Sequence, residues 1–181
     1  VTRLKPPDGS DGDYWQTWLK HRALTAPFVW PNHQAAIKSG FHENGKSAVL
    51  VLPTGAGKTT VSCLKMAAVL AKGQSVVFIA PTHALVDQLT DDLQEVFPQT
   101  LHGSVVSGDC DRLFASGTNF QSIEVMTPER CLAILSYSPK AFDNVGLLVF
   151  DECHLLSPVS NLRRALDGMF CVLAFNSIAP T

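Results

Sequence analysis

Apolar positions along the chain fall into short, dense runs separated by longer stretches with helical periodicity. The runs 47–52 (SAVLVL), 75–80 (SVVFIA), 103–106 (GSVV), 122–126 (SIEVM) and 145–150 (VGLLVF) have the length and side chains of strands. Between and after them, 58–72, 82–97, 127–137 and 159–175 predict helices. Strand and helix in alternation predict βαβ units. The expected fold is therefore α/β: a mostly parallel sheet with helices on both faces. Upstream, residues 1–13 are rich in Pro, Gly and Asp and predict a mobile lead-in. A short helix from Tyr14 to Leu24 follows, with Asp13 available as its N-cap. A second begins at Pro31 and runs through Gln34, Ala35, Ala36 and Ile37 to Phe41.

Composition narrows the class. The chain has 181 residues, 46% of them hydrophobic and 17% charged, which suits one folded domain and excludes a largely disordered chain. The longest apolar run, Met169 to Phe175, is far short of the roughly 20 residues a membrane helix needs. No basic-then-apolar signal segment opens the sequence. The chain starts at Val1 and stops at Ala179-Pro180-Thr181, and reads as a piece of a longer protein. A net charge of -2 predicts no blanket attraction for nucleic acid, although a local basic groove is compatible with it. The five cysteines, Cys63, Cys110, Cys131, Cys153 and Cys171, are scattered without a C-x-x-C pair. They predict reduced thiols, no structural metal, and a cytoplasmic setting, or a nuclear one in a eukaryote.

The clearest chemistry follows the run 47–52. Pro53-Thr54-Gly55-Ala56-Gly57-Lys58-Thr59-Thr60 matches G-x-x-x-x-G-K-[ST] except at the first glycine, where Leu52 stands. Gly55 and Gly57 let backbone N–H groups curl around an anion, and the helix that follows turns its positive end to the same spot. Lys58 reaches the β- and γ-phosphates, and the Thr59 hydroxyl ligates Mg²⁺. The pattern predicts binding of a nucleoside triphosphate. At the end of the run 145–150 stand Asp151-Glu152-Cys153-His154. The carboxyl ends of parallel strands are where ligands sit, so Asp151 is the expected Mg²⁺ ligand and Glu152 the group that polarises the attacking water.

These two motifs together resemble the first RecA-like domain of superfamily 2 DExH-box helicases. Further segments resemble that family's motifs in the same order: Ile79-Ala80-Pro81-Thr82-His83-Ala84-Leu85-Val86-Asp87-Gln88, Val106-Ser107-Gly108-Asp109 and Met126-Thr127-Pro128-Glu129-Arg130. Upstream, Trp30-Pro31-Asn32-His33-Gln34 is similar to the family's aromatic-x-x-x-Gln element. The resemblance implies that Gln34 reads adenine with Trp30 flanking it, and that Thr54, Gly55, Ala56, Gly57, Lys58, Thr59 and Thr60 cradle the phosphates of ATP with Mg²⁺. It implies contacts to a nucleic-acid backbone from Pro81, Thr82, His83, Gly108, Thr127, Pro128 and Arg130. His154 would couple the nucleotide site to a second RecA-like domain. The spacing of Trp30 and Gln34 and the triplet Val86-Asp87-Gln88 resemble RecQ-like enzymes. Pro31, Thr59 and Cys153 depart from that group, so another DECH branch, a defence-system helicase included, fits as well. The implied domain spans 28–181, ending before motif III, with 1–27 as lead-in and short helix.

Bland readings stand beside these. Thr82 and Thr127 are also expected helix N-caps, a role compatible with phosphate contact. Trp15 and Trp18 lie one helical turn apart and predict packing, not base stacking. Arg112 and Arg163-Arg164 read as a solvated face. The function expected is ATP-driven helicase or translocase action, single-stranded DNA favoured over RNA, with no membrane. The alternative is an ATP-gated nucleic-acid remodeller; a nucleotide kinase lacks its lid and acceptor-binding cluster here.

Overall fold

A computed structural model of the protein describes residues 3–53, 55–102, 105–107, 120–152, 157 and 162–178. The chain divides into two units, Val1–Gln74 and Ser75–Thr181.

The first unit carries α1 (Gly12–Thr25), α2 (Pro31–Lys38) and α3 (Lys58–Leu70). Asp11, not Asp13, caps α1: its carboxylate accepts from the N–H groups of Asp13 and Tyr14. Position, not residue type, decides the cap, because only the residue before the first helical turn can reach back to those orphan donors. Trp15, Trp18 and Leu19 are fully buried, so the two tryptophans pack as expected, and Trp15 Nε1 donates to Leu4 O at 3.1 Å. Ser10 Oγ and Asp11 N donate to Ala68 O and Ala71 O of the α3 end, at 3.2 and 2.7 Å. Helix α2 stops at Lys38, three residues before the expected end. Gly40, at φ +75°, turns the chain, with Phe41 N donating to Ala36 O and Gly40 N to Ile37 O, each at 3.0 Å. This paired closure is the Schellman motif, and it satisfies the carbonyls a helix end leaves open.

The expected strand 47–52 is absent. The run carries no ladder, and Val49 and Val51 stand 80% and 85% exposed. Strand preference is a fit to a pleated, half-buried surface, and without a paired neighbour the backbone of this run stays unladdered.

The second unit is a four-stranded parallel sheet in the order β2–β3–β1–β4, built from β1 (Ser75–Ile79), β2 (Val105–Ser107), β3 (Ile123–Met126) and β4 (Val145–Phe150). Helices α4 (His83–Val96), α5 (Gln99–His102), α6 (Pro128–Tyr137) and α7 (Leu162–Ile178) complete it, with a 3₁₀ turn at Pro139–Phe142. The α/β class read from the sequence is what the chain adopts. Every residue of β1 is buried, as a central parallel strand requires. Its register places Val76 beside Ile123 and Leu147, and Ile79 beside Met126 and Phe150. The core gathers Val77, Ile79, Met126, Cys131, Ile134, Phe142 and Cys171, with Phe120 edge-on to Phe142 at 4.8 Å. Full burial of each large apolar side chain contributes about 1.5–3 kcal/mol. Helices α6 and α7 meet through two free thiols: Cys171 Sγ donates to Pro128 O at 3.1 Å and accepts a hydrogen bond from the Cys131 thiol. That bond, with burial, raises the Cys131 thiol far above its ordinary value.

Candidate functional site

In the first unit, Gly55 (φ +77°) and Gly57 (φ +81°) bend the segment 53–57, and Ala56 N closes a turn on Pro53 O at 3.1 Å. Thr54 lies outside the described residues. Both φ values belong to the left-handed region, where a side chain costs about 1–2 kcal/mol, so the sequence needs glycine at both positions. Gly57 is the N-cap of α3 and offers no side-chain cap. The first N–H groups of that helix, with Lys58 at its first position, are therefore free of intrahelical partners and face the region where the helix dipole favours an anion. Lys58 and Thr60 are half-buried, while Thr59 is exposed. The helix itself is fixed by buried Val61, Cys63, Leu64, Met66, Ala67, Ala68 and Val69.

Helix α2 belongs to the same unit. Gln34 N donates to Trp30 O at 3.0 Å, and the Gln34 side-chain amide donates to Val29 O at 3.3 Å, so Trp30 and Gln34 sit on one turn. Trp30 is 56% exposed, available to a flat ligand. A shallow, open recess adjoins this turn, bounded by Trp18, Arg22, Phe28, Val29, His33, Thr60 and others.

Sequence reasoning passed over two residues here. His33 is buried, with its ring stacked on Trp30 at 6.0 Å. Lys65 is buried in α3 and donates to Phe41 O at 3.1 Å and Glu43 O at 2.9 Å, beside the Phe41 ring. Burial lowers the Lys65 pKa, with Glu43 opposing and Lys46 adding to the shift. This ammonium ties the turn after α2 to the helix that the phosphate loop opens. A lone lysine in an apolar helix gives no sequence signal of such a role, because its partners are backbone carbonyls.

In the second unit, β4 delivers Asp151 and Glu152. Asp151 N donates to Ile79 O at 3.1 Å, carrying the ladder one residue past the strand, and Asp151 Oδ1 accepts from Glu152 N at 2.9 Å. Glu152 has φ +54°, an uncommon conformation for a residue with a side chain, and such strain gathers at functional sites. Cys153 and His154 lie outside the described residues, as do Gly108 and Arg112. In the sheet order β1 stands directly beside β4, and β3 lies on the far side of β1. Thr82 caps α4, accepting from Leu85 N at 3.4 Å, and Thr127 caps α6, accepting from Arg130 N at 3.4 Å. Thr127 and Pro128 are buried; Pro81, Thr82 and Arg130 are half-buried; His83 is exposed. Arg163 is exposed, in line with a solvated face.

A glycine-bent loop opening a helix with Lys-Thr, in a chain with a parallel α/β sheet, is the arrangement found in the class of nucleoside-triphosphate-binding α/β proteins. More particularly, the chain belongs to the DEAD/DEAH box helicase family, whose sequence profile matches residues 30–173. It is similar to the ATP-dependent DNA helicase Hel308 of Thermococcus kodakarensis, 32% identical over 139 residues that make up 76% of this chain and 12% of that protein. It is also similar to a probable ATP-dependent RNA helicase, DDX60-like, of Homo sapiens, 32% identical over 120 residues, 63% of this chain and 7% of that protein. Among solved structures, the DUF1998 helicase MrfA bound to DNA and AMPPNP superposes with a TM-score of 0.70 at 20% identity, over 98% of this chain and 26% of that one. That likeness shows the fold. The chain spans only a small part of the length of each of these relatives. No helix among the described residues is long and apolar enough to cross a membrane.

Proposed function

We propose that this chain is the ATP-binding RecA-like domain of an ATP-dependent nucleic-acid helicase or translocase acting on single-stranded DNA. The observation that carries the reading is the loop 53–60, two left-handed glycines opening a helix that begins Lys58-Thr59. In this reading Gly55, Ala56, Gly57 and Thr60, with Thr54, wrap the phosphates, and the Lys58 ammonium donates to β- and γ-phosphate oxygens. Gln34 reads the adenine edge and Trp30 covers its face. Glu152 orients the attacking water and takes its proton. Thr59 and Asp151 would hold Mg²⁺: a hydroxyl and a carboxylate are the hard oxygen donors that ion takes, and Asp151 is already steadied by the Glu152 N–H. When bound, the ion neutralises charge on the phosphate oxygens.

Pro81, Thr82, His83, Gly108, Thr127, Pro128 and Arg130 are the proposed contacts to nucleic-acid phosphates, with the capping threonines also serving the helices. His154 would pass the state of the nucleotide to a second RecA-like domain, which supplies the arginine finger. The domain spans 28–181, with 1–27 leading into it. Hel308 bears the name of a DNA helicase, and MrfA was solved on DNA, which supports DNA over RNA. The DDX60-like relative, named a probable RNA helicase, supports the runner-up. Free thiols at Cys63, Cys131 and Cys171 are in keeping with a reducing compartment, cytoplasm or nucleus. The test is nucleic-acid-stimulated ATPase activity and strand displacement of the full protein, wild type beside Lys58→Ala. ATP turnover of the variant should fall below about a tenth of wild type, given the several kcal/mol that phosphate clamps supply. Stimulation by DNA without displacement would favour an ATP-gated remodeller.

A further inference from the structure

His33 is 5% exposed, and its Nε2 has no hydrogen-bond partner among the described residues. The ring is held from one side by Trp30, 6.0 Å away and tilted by 11°. Its Nε2 edge lies against the phosphate loop. A Cβ placed on Gly57 would stand 2.3 Å from His33 Nε2 and 3.0 Å from Cε1. The glycine that ends the loop is therefore what admits the imidazole, and the outer nitrogen rests against it. A buried ring nitrogen without a partner is costly, and such groups are kept where a ligand or a network repays them.

Resting on the nucleotide reading above, we propose that His33 is a nucleotide-contacting residue. Its Nε2–H donates to an oxygen of the phosphate chain carried by the loop 53–60. The ligand class is a nucleoside di- or triphosphate. Helix α2 then touches both ends of one ligand, Gln34 at the base and His33 at the phosphates, so base recognition and loop conformation are joined through adjacent residues. An imidazole beside a glycine also couples them mechanically, since a shift of α2 moves the ring against residue 57.

The experiment sets two substitutions against each other in the full chain, with ADP binding measured by calorimetry and folding by thermal unfolding. His33→Phe keeps a flat ring on Trp30 and removes the donor. His33→Gln loses the ring and keeps an amide N–H that reaches the same place. The expected result is ADP affinity about tenfold weaker for His33→Phe and largely restored for His33→Gln, the worth of one hydrogen bond to a charged group. A purely structural ring gives the reverse order, with His33→Phe equal to wild type, and overturns the proposal. Lys58→Ala separates this from the underlying reading: wild-type ADP affinity retained by Lys58→Ala would remove the phosphate site itself, whatever the His33 variants do.

Discussion

Gly57→Ala tests the geometry of the loop most directly. Two costs are expected. The left-handed φ of +81° costs an alanine about 1–2 kcal/mol. The new Cβ, at 2.3 Å from His33 Nε2, forces the ring off Trp30 or the helix start off its course, an overpacking cost of about 1–3 kcal/mol. Together the destabilisation should reach about 2–5 kcal/mol. Only the second part depends on the imidazole. In a His33→Ala background the same substitution should cost about 1–2 kcal/mol, leaving a coupling of about 1–3 kcal/mol between the two positions. Gly55→Ala is the internal control. Its φ is +77°, yet nothing lies within 4 Å of its Cβ position, so it carries the backbone cost alone, with or without His33. The assay is urea unfolding of wild type, the single variants and the doubles at one pH and salt. Additivity at position 57 within about 0.5 kcal/mol would refute the contact between ring and loop.

Lys65→Met should leave Phe41 O and Glu43 O without their ammonium donor and cost about 1–3 kcal/mol in the same unfolding assay. It should also change the alkaline side of the stability profile. Because burial lowers the folded-state pKa, the unfolded chain holds the extra proton between that lowered value and the ordinary 10.5, so wild-type stability rises with pH across that window, and the variant lacks the rise. Glu152→Gln should retain ATP affinity while single-turnover hydrolysis stops, since the amide takes no proton from water. Glu152→Gly should abolish hydrolysis too, yet raise the unfolding midpoint, because φ +54° suits glycine and the relief amounts to about 1 kcal/mol.

Local signals were legible where the answer is local. Strand β4 spans the predicted 145–150, and the starts of α3, α4 and α6 fall within a residue of expectation because Gly57, Thr82 and Thr127 mark them. The left-handed glycines of the loop were legible for the same reason: phosphate-loop chemistry dictates them. The run 47–52 was misread since it has the length and apolar side chains of a strand, while a strand also needs a paired neighbour, which sequence does not display. Helix α2 was drawn too long because Ser39 and Gly40 mark its end only through the Phe41-to-Ala36 closure. His33 and Lys65 were invisible as site residues. Their significance lies in what they face, a glycine 24 positions away for His33 and two carbonyls at least 22 positions away for Lys65.

The thiol pair across α6 and α7 gives the protein a chemical clock. Cys131 and Cys171 are both fully buried, and the hydrogen bond to Cys171, with burial, keeps the Cys131 thiol protonated, the form that alkylating agents ignore. Neither sulfur can react until α7 lifts from α6. When it does, both are exposed in one event, because both are sealed in the same core cluster at the seam of this helix pair. Pulse alkylation read by peptide mass should therefore show residues 131 and 171 modified in step, at a rate set by the opening of this helix pair. Single modification of either would mean that one helix breathes while its partner stays sealed, and the order of labelling would then name the element that unfolds first.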